Sequence, residues 1–405
     1  MAKAEKTAMV PRLRFPEFRE AWEEKELRSF LTESRIPGSD GSIAKKLTVK
    51  LWGRGVFEKA EAIKGSASTV YYKRKAGQFI YSKLDFLNQA FGVIPAHLDG
   101  FESTVDLPCF DVDARLNSRF LLEYVQRKDF YKRFGEIADG GRKAKRIQVD
   151  SFLSFQIVVP KEKKEQQKIA DCLGSLDELI AAQGRKVEAL KTYKRGLMQQ
   201  LFPREGETRP RLRFPVFRDA PEWKGKKLSA VVDLVSGLHL SPDEYSTVGD
   251  VPYFTGPSDF TNDVHFGTKW TRESTNTAKE HDTLITVKGS GVGEVWYLEI
   301  TSVAMGRQLM AVRAKACLSR FIFQLLLTKR SRFEDLAAGN LIPGLARGDI
   351  LNIVAPIPEE DEQRQIAGCL SSLDAQIATE ADKLETLKTH KAGLMQQLFP
   401  SLENK

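Results

Sequence analysis

Cysteine is scarce. The 405-residue chain has four, Cys109, Cys172, Cys317 and Cys369, and none forms a CxxC pair, so neither a disulfide framework nor a zinc site is expected. Scattered thiols suit a reducing compartment, which points to the cytoplasm. The five histidines (His97, His239, His265, His281 and His390) show no metal-ligand spacing. Long apolar runs are missing too. The longest, around Phe321 to Leu327, falls far short of the roughly 20 residues that cross a bilayer, and the opening MAKAEKTAMV has no apolar signal core, so no membrane association is expected. No phosphate-binding P-loop occurs. Lys288-Gly289-Ser290-Gly291-Val292-Gly293 has the wrong glycine spacing for a cofactor loop and runs into EVWYLEI, so it reads as a strand-turn-strand. A metal-dependent nuclease needs clustered carboxylates, but after Asp282 a threonine, Thr286, stands where the second would be. The sequence thus offers neither a catalytic centre nor a metal or cofactor site.

Positive charge is in excess. The net charge is +8 and the pI about 9.1, which suits a polyanionic partner such as nucleic acid. The stronger feature is repetition. Leu13-Arg14-Phe15-Pro16 returns as Leu212-Arg213-Phe214-Pro215, each followed by an acidic-aromatic stretch, EFREAWEEKEL and VFRDAPEWKGKKL. Glu165 to Pro203 returns as Glu362 to Pro400, with 25 identities in 39 positions. The chain is therefore two units, each a variable stretch and then a repeated segment.

Each repeated segment predicts one long helix. Ile169, Leu173, Leu176, Ile180, Gln183, Val187, Leu190, Lys194, Leu197 and Leu201 alternate steps of four and three. Ile366, Leu370, Leu373, Ile377, Glu380, Leu384, Leu387, Lys391, Leu394 and Leu398 repeat that frame. Eight of ten positions are apolar in each, a narrow heptad seam that needs a partner helix. Pro160 and Pro358 precede the helices and Pro203 and Pro400 follow them. About 40 residues make a rod of roughly 60 Å. The expected fold is α+β: two α/β domains separated by two long antiparallel coiled-coil helices, with an internal pseudo-two-fold repeat. The boundaries read as a first domain over 1–160, a spacer helix over 161–203, a linker over 204–211, a second domain over 212–358 and a distal helix over 359–405.

The variable stretches share a plan. TVKLWGRGVFEKA and QFIYSKLDF read as strands and turns, as do VPYFTGPSDF, DTLITVKGSGVGEVWYLEI and QLMAVRAK. Each then carries one helical segment, from Ser118 and from Ser319, a glycine loop, and a proline-ended strand, FLSFQIVVP or ILNIVAPIP. Candidate DNA-contacting cations in the first domain are Lys45, Lys46, Arg54, Lys73, Arg74 and Lys75, with the loop cations Arg142, Lys143, Lys145 and Arg146. In the second they are Lys269, Arg272, Lys288 and Arg307, joined by Ser290, Asn340 and Arg347. The first stretch is the more basic, with 26 Lys and Arg against 20 Asp and Glu over residues 12–160, compared with 18 against 16 over 211–358.

Two variable domains alternating with two near-identical helices, an LRFP segment opening each half, and Glu165-Gln166 with Ile169-Ala170 and Glu362-Gln363 with Ile366-Ala367 opening each helix together resemble the specificity subunits of type I restriction-modification systems. The resemblance covers nearly the whole chain. It implies that the variable stretches are target-recognition domains, each reading half of a split double-stranded DNA sequence, and that the helices act as a ruler. It further implies two modification subunits that methylate adenine with S-adenosylmethionine, and restriction subunits that translocate and cleave with ATP and Mg, the whole serving phage defence. This chain would be non-catalytic. A specificity subunit of a related two-subunit restriction system and a coiled-coil scaffold without DNA remain the alternatives.

If the helices are a ruler, their length sets the gap between half-sites. Four residues inserted near Gly184 lengthen a helix by about 6 Å and rotate the downstream half by about 400°. B-DNA rises about 3.4 Å per base pair, so methylome mapping of the variant should find both half-sites one or two base pairs further apart. An unaltered gap with full activity would refute the ruler.

Overall fold

The computed structural model describes residues 10–60, 68–136, 146–272, 276–289, 291–338 and 344–400. The fold is α+β. It divides into unit one, Met1–Gln183 with Lys383–Lys405, and unit two, Gly184–Asp382.

Unit one begins with β1 (Glu23–Glu26), β2 (Leu31–Ser34), β3 (Ile36–Asp40), β4 (Leu47–Lys50), β5 (Gly55–Glu58), β6 (Val70–Lys73), β7 (Phe79–Tyr81), β8 (Phe91–Val93), β9 (Glu102–Ser103) and β10 (Cys109–Val112). Helices α1 (Ser118–Val125), α2 (Lys128–Gly135) and α3 (Val149–Leu153) come next, then β11 (Gln156–Val159) and the start of α4 (Lys163–Leu201). The central sheet has the order β2-β10-β7-β8; β1 pairs with β11, β4 with β5, and β3-β6-β9 form a three-stranded sheet. The core beneath is aromatic: Phe79, Tyr81, Phe86, Phe91, Phe110, Phe120, Tyr124, Phe130 and Phe152 are all buried.

Unit two carries β12 (Lys224–Lys227), β13 (Val232–Ser236), β14 (Val251–Phe254), β15 (Trp270–Thr271), β16 (Thr277–Lys279), β17 (Thr283–Thr286), β18 (Val295–Tyr297), β19 (Ser302–Met305) and β20 (Leu309–Ala314). It continues with α5 (Ser319–Leu327), α6 (Arg330–Ala338), α7 (Arg347–Leu351), β21 (Val354–Ile357) and α8 (Glu360–Leu398). The sheet β13-β20-β17-β18 and the pair β12-β21 repeat the framework of unit one. The rest does not repeat: β15-β14-β19-β16 stands here, with β14 and β19 parallel.

Two expectations need correction. The segments from Ser118 and Ser319 are each two helices. Arg127 takes an extended conformation that ends α1, and α2 then starts with Asp129 in its first turn, where a carboxylate suits the helix dipole. A short helix, α3 or α7, also stands between the glycine loop and the proline-ended strand. The Gly289 region is a turn between β17 and β18, as read from its spacing.

Helices α4 and α8 each run 39 residues. Every position of both predicted seams is buried or half-buried. Within unit one the first part of α4 pairs antiparallel with the last part of α8, where Lys391 meets Asp177 at 2.6 Å. Within unit two the last part of α4 pairs with the first part of α8, where Lys194 meets Asp374 at 2.6 Å and Lys186 meets Glu380 at 2.9 Å. The LFP ends plug the sheet domains. Phe399 lies against Trp22 and Phe120 in unit one, and Phe202 against Trp223 and Phe321 in unit two.

One clamp fastens each unit. Arg14 grips Glu165 with two parallel bonds, Nε to Oε1 at 2.7 Å and Nη2 to Oε2 at 2.8 Å, and Trp22 Nε1 donates to the same carboxylate at 3.1 Å. Arg213 grips Glu362 with two 2.7 Å bonds, and Trp223 donates at 3.2 Å. The neighbouring glutamines close the other side. Gln166 accepts from Asn117 N and donates to Pro160 O; Gln363 accepts from Leu318 N and donates to Pro358 O. The signature residues at the helix starts are therefore fasteners that tie helix, strand end and LRFP segment together.

Beside the paired helices the units differ in one charge. Buried Glu123 on α1 meets Lys391 at 3.0 Å, and Lys391 also holds Asp177. At the matching place in unit two Gln324 donates to Asp374, which pairs with Lys194. Burial raises the Glu123 carboxyl above its usual range, partly offset by Lys391. Its contribution to stability is then full below the unfolded value of about 4.3 and is lost as pH rises through the folded value. Glu123→Gln, which copies unit two, should raise the denaturant midpoint at pH 8, with little difference from the parent at pH 4. An equal or lower midpoint at pH 8 would contradict this.

Candidate nucleic-acid interface

Strand direction decides where the candidate cations gather. In unit two, β20 runs antiparallel to both β13 and β17, with Ser236 opposite Met310 and Thr286 opposite Leu309. One end of the sheet therefore collects the end of β13, the end of β17 and the turn before β20. Lys288 follows β17, Arg307 sits in that turn, and Arg347 reaches Ser236 Oγ at 3.1 Å; all three are exposed. Arg272 is exposed elsewhere in the unit. Lys269 is half-buried and engaged, donating to Thr255 Oγ1 at 2.9 Å and lying 3.7 Å from Asp259. Ser290 and Asn340 lie outside the described residues.

The same sheet end in unit one carries Arg146. Cys109 at the start of β10 stands opposite Ser34 and Ile80, and the chain leaving β7 hydrogen-bonds through Lys83 O to Ile147 N at 3.0 Å. Arg146 is exposed and 3.9 Å from Asp106. Its loop partners Arg142, Lys143 and Lys145 lie outside the described residues. Lys45 and Lys73 are exposed and meet the same short strand, since Glu102 N donates to Lys45 O and Lys73 pairs with Glu102 across β6-β9. Lys75 is exposed and lines an open cleft of about 440 Å³ with Lys163, Asp111 and Asp113. That mixture of charges favours no one ligand. Arg54 is exposed in the β4-β5 turn.

Two candidates are corrected by their burial. Arg74 is 2% exposed. It donates to Ser103 Oγ and Ser34 O, both at 2.8 Å, and to Leu107 O at 3.2 Å, bonding the central sheet to β9 and the turn after it. Burial lowers its affinity for a proton from the ordinary arginine range. Lys46 is 6% exposed, with its ammonium 5.4 Å from the Tyr71 ring centroid. The Lys73-Arg74-Lys75 run has the composition of a solvated patch, yet alternation turns its central residue inward. In the rejected nuclease position Asp282 is bound by Arg313 through bonds of 3.0 and 2.7 Å. Among the described residues no group of three or more His, Cys, Asp or Glu could hold a metal ion. No helix among them is long and apolar enough to cross a membrane.

Residues 221–389 match the family model of the type I restriction modification DNA specificity domain. They span the unit-two framework and most of α8, the helix whose clamp unit one repeats. Over that stretch the chain is similar to the type I specificity domain. A Methanocaldococcus jannaschii protein, provisionally named type I restriction enzyme MjaX specificity subunit, is 24% identical over 286 residues, covering 69% of this chain and 66% of its own length. The type I restriction enzyme MjaVIII specificity subunit of the same organism is 24% identical, covering 62% of this chain and 63% of its own length. The chain thus spans just under two thirds of these curated relatives. The crystal structure of a type I restriction-modification system S subunit from M. genitalium shares the fold, with a TM-score of 0.65 at 15% identity, covering 97% of this chain and all of that one. A structure of a type I R-M system solved for its complex assembly and conformational transition gives 0.57 at 17% identity, covering 94% and 97%.

The burial pattern separates two kinds of cation. Arg74→Ala should lower the denaturant midpoint by the equivalent of about 2 kcal/mol or more, because buried acceptors lose their donor, with the salt slope of duplex binding unchanged. Lys73→Ala combined with Lys75→Ala should leave the midpoint alone and flatten the slope by up to about 0.9 per lost phosphate contact. The reverse pattern would overturn this assignment.

Proposed function

We propose that the chain is the DNA-recognition subunit of a type I restriction-modification complex, with each variable domain reading one half of a split duplex target. The observation that carries this reading is a duplicated framework bearing different insertions. The clamp, the two-stranded pair, the four-stranded sheet and the helix seam occur twice, whereas β3-β6-β9 and β4-β5 in unit one give way to β15-β14-β19-β16 in unit two. Identical parts suit a partner present in two copies, and differing parts suit two different base sequences. Joining two weak readers in one chain raises affinity through effective concentration.

In this reading the chain performs no catalysis and works in the cytoplasm. Two methyltransferase subunits dock on the repeated helices and methylate adenine with S-adenosylmethionine. Restriction subunits join to translocate and cleave with ATP and Mg. The surface cations Lys45, Lys73, Lys75, Arg146, Arg272, Lys288, Arg307 and Arg347 supply phosphate contacts, and Arg142, Lys143 and Lys145 are proposed to join them.

Exchange of residues 12–160 for those of a family member with a different target tests the proposal. Methylome sequencing should show one half-site replaced and the other retained. If both halves change together, the units are not separate readers. If the intact complex leaves no sequence-dependent methylation, the chain does not direct modification.

A further inference from the structure

The β4-β5 hairpin has a tip the framework does not need. Its strands are anchored in the core by Leu47, Val49 and Val56, all buried. Between them, Lys50 pairs with Gly55, so residues 51–54 form the turn. Trp52 there is 58% exposed, and Leu51 and Phe57 are exposed as well. Trp52 also holds φ at 60°, in the left-handed region that large L side chains avoid. The strain is held in place from below. Trp52 N donates to Asn88 O at 2.7 Å and Gly53 N to Gln89 O at 3.0 Å. A Cβ on Gly53 would meet the Gln126 side chain at 3.0 Å, so the backbone seats tightly there. A bulky apolar ring kept exposed in a costly conformation, on a rigid base, is the mark of a binding residue.

The surroundings identify the ligand. Asn88 and Gln89 belong to the turn between β7 and β8, at the sheet end that carries Arg146. Lys50 and Arg54 stand two residues before and after Trp52 in the same tip, and neither has a carboxylate partner among the described residues; Lys50 lies 4.6 Å from the Phe57 ring centroid. The hairpin is a separate two-stranded sheet without a counterpart in unit two. A partner that binds both units alike would not select it, whereas the reader of one half-site would. The major groove of B-DNA admits a two-stranded ribbon, and an arginine fork matches the O6 and N7 acceptors of guanine.

We propose that the β4-β5 tip is the base-reading element of unit one, with Arg54 contacting a base edge in the major groove and the Trp52 indole packing on an adjoining thymine methyl or sugar. This rests on the DNA-reading function proposed above.

The test uses the full chain with its methyltransferase partner and a duplex bearing the motif found by methylome sequencing. Glycine is at ease at φ 60°, so Trp52→Gly removes the ring without straining the fold. Trp52→Asn, also tolerant of that region, is the second variant. Both should keep the parental thermal midpoint and weaken duplex binding at least tenfold. Arg54→Ala should relax one base position in a single half-site. Parental affinity and an unchanged motif in all three variants would overturn the proposal. So would loss of assembly with the methyltransferase, which would make the tip a protein contact. A parental complex that binds the duplex with no preference over a scrambled one would instead refute the DNA-reading function itself.

Discussion

The buried carboxylate at the start of each long helix is the constraint on which the rest depends. Glu165 and Glu362 are almost fully buried, and an ionised carboxylate survives there only with a matched cation and further donors. The arginine of LRFP supplies the charge in bidentate geometry, and the tryptophan eight or ten residues later supplies the third bond. Removing one partner leaves a buried charge, at a cost on the order of 3–5 kcal/mol. The clamp therefore fixes three things together: where the helix begins, where the unit's first segment lies, and how the first strand enters its pair with the last.

That constraint explains which parts of the fold were legible in the sequence. The repeated segments are those that must satisfy the clamp, the glutamine bridge and the seam, so residue identity matters at each position and the duplication stands out. The seam residues could be named because a heptad is a purely local pattern. The breaks between α1 and α2 and between α5 and α6 were not legible, because Arg127 and its surroundings carry no proline or glycine. They are set by what the helices pack against. The short helices α3 and α7 escaped for a similar reason, being single turns whose apolar residues suit a strand equally well.

The interface was legible only in outline. Counting cations named candidates but could not tell Lys73 from Arg74, since burial of a guanidinium depends on acceptors far away in the chain: Ser34 O, Ser103 Oγ and Leu107 O. Trp52 was missed for the opposite reason. Its signal, a tryptophan followed by Gly53 and Gly55, reads as an ordinary hairpin turn until the exposed ring and positive φ are seen. Net charge is a property of the surface as a whole, while recognition depends on a few side chains held rigid by what lies beneath them.

The two cores show how one framework can carry two different sets of insertions. Unit one packs a cluster of phenylalanines and tyrosines beneath its sheet, and unit two fills the same place largely with Val, Leu and Ile around Phe321. Cores accept such exchange when volume and patterning are kept. The framework positions common to both are the ones bound by directional interactions: the arginine forks, the tryptophan donors and the glutamine bridges. Hydrogen bonds of that kind cannot be repacked, because a displaced partner leaves a buried polar group unsatisfied. Divergence is then free to collect in the insertions at the sheet margins, where neither the clamp nor the seam limits the choice of residue. A tip such as that of β4 and β5 can change there while the fold beneath it stays intact.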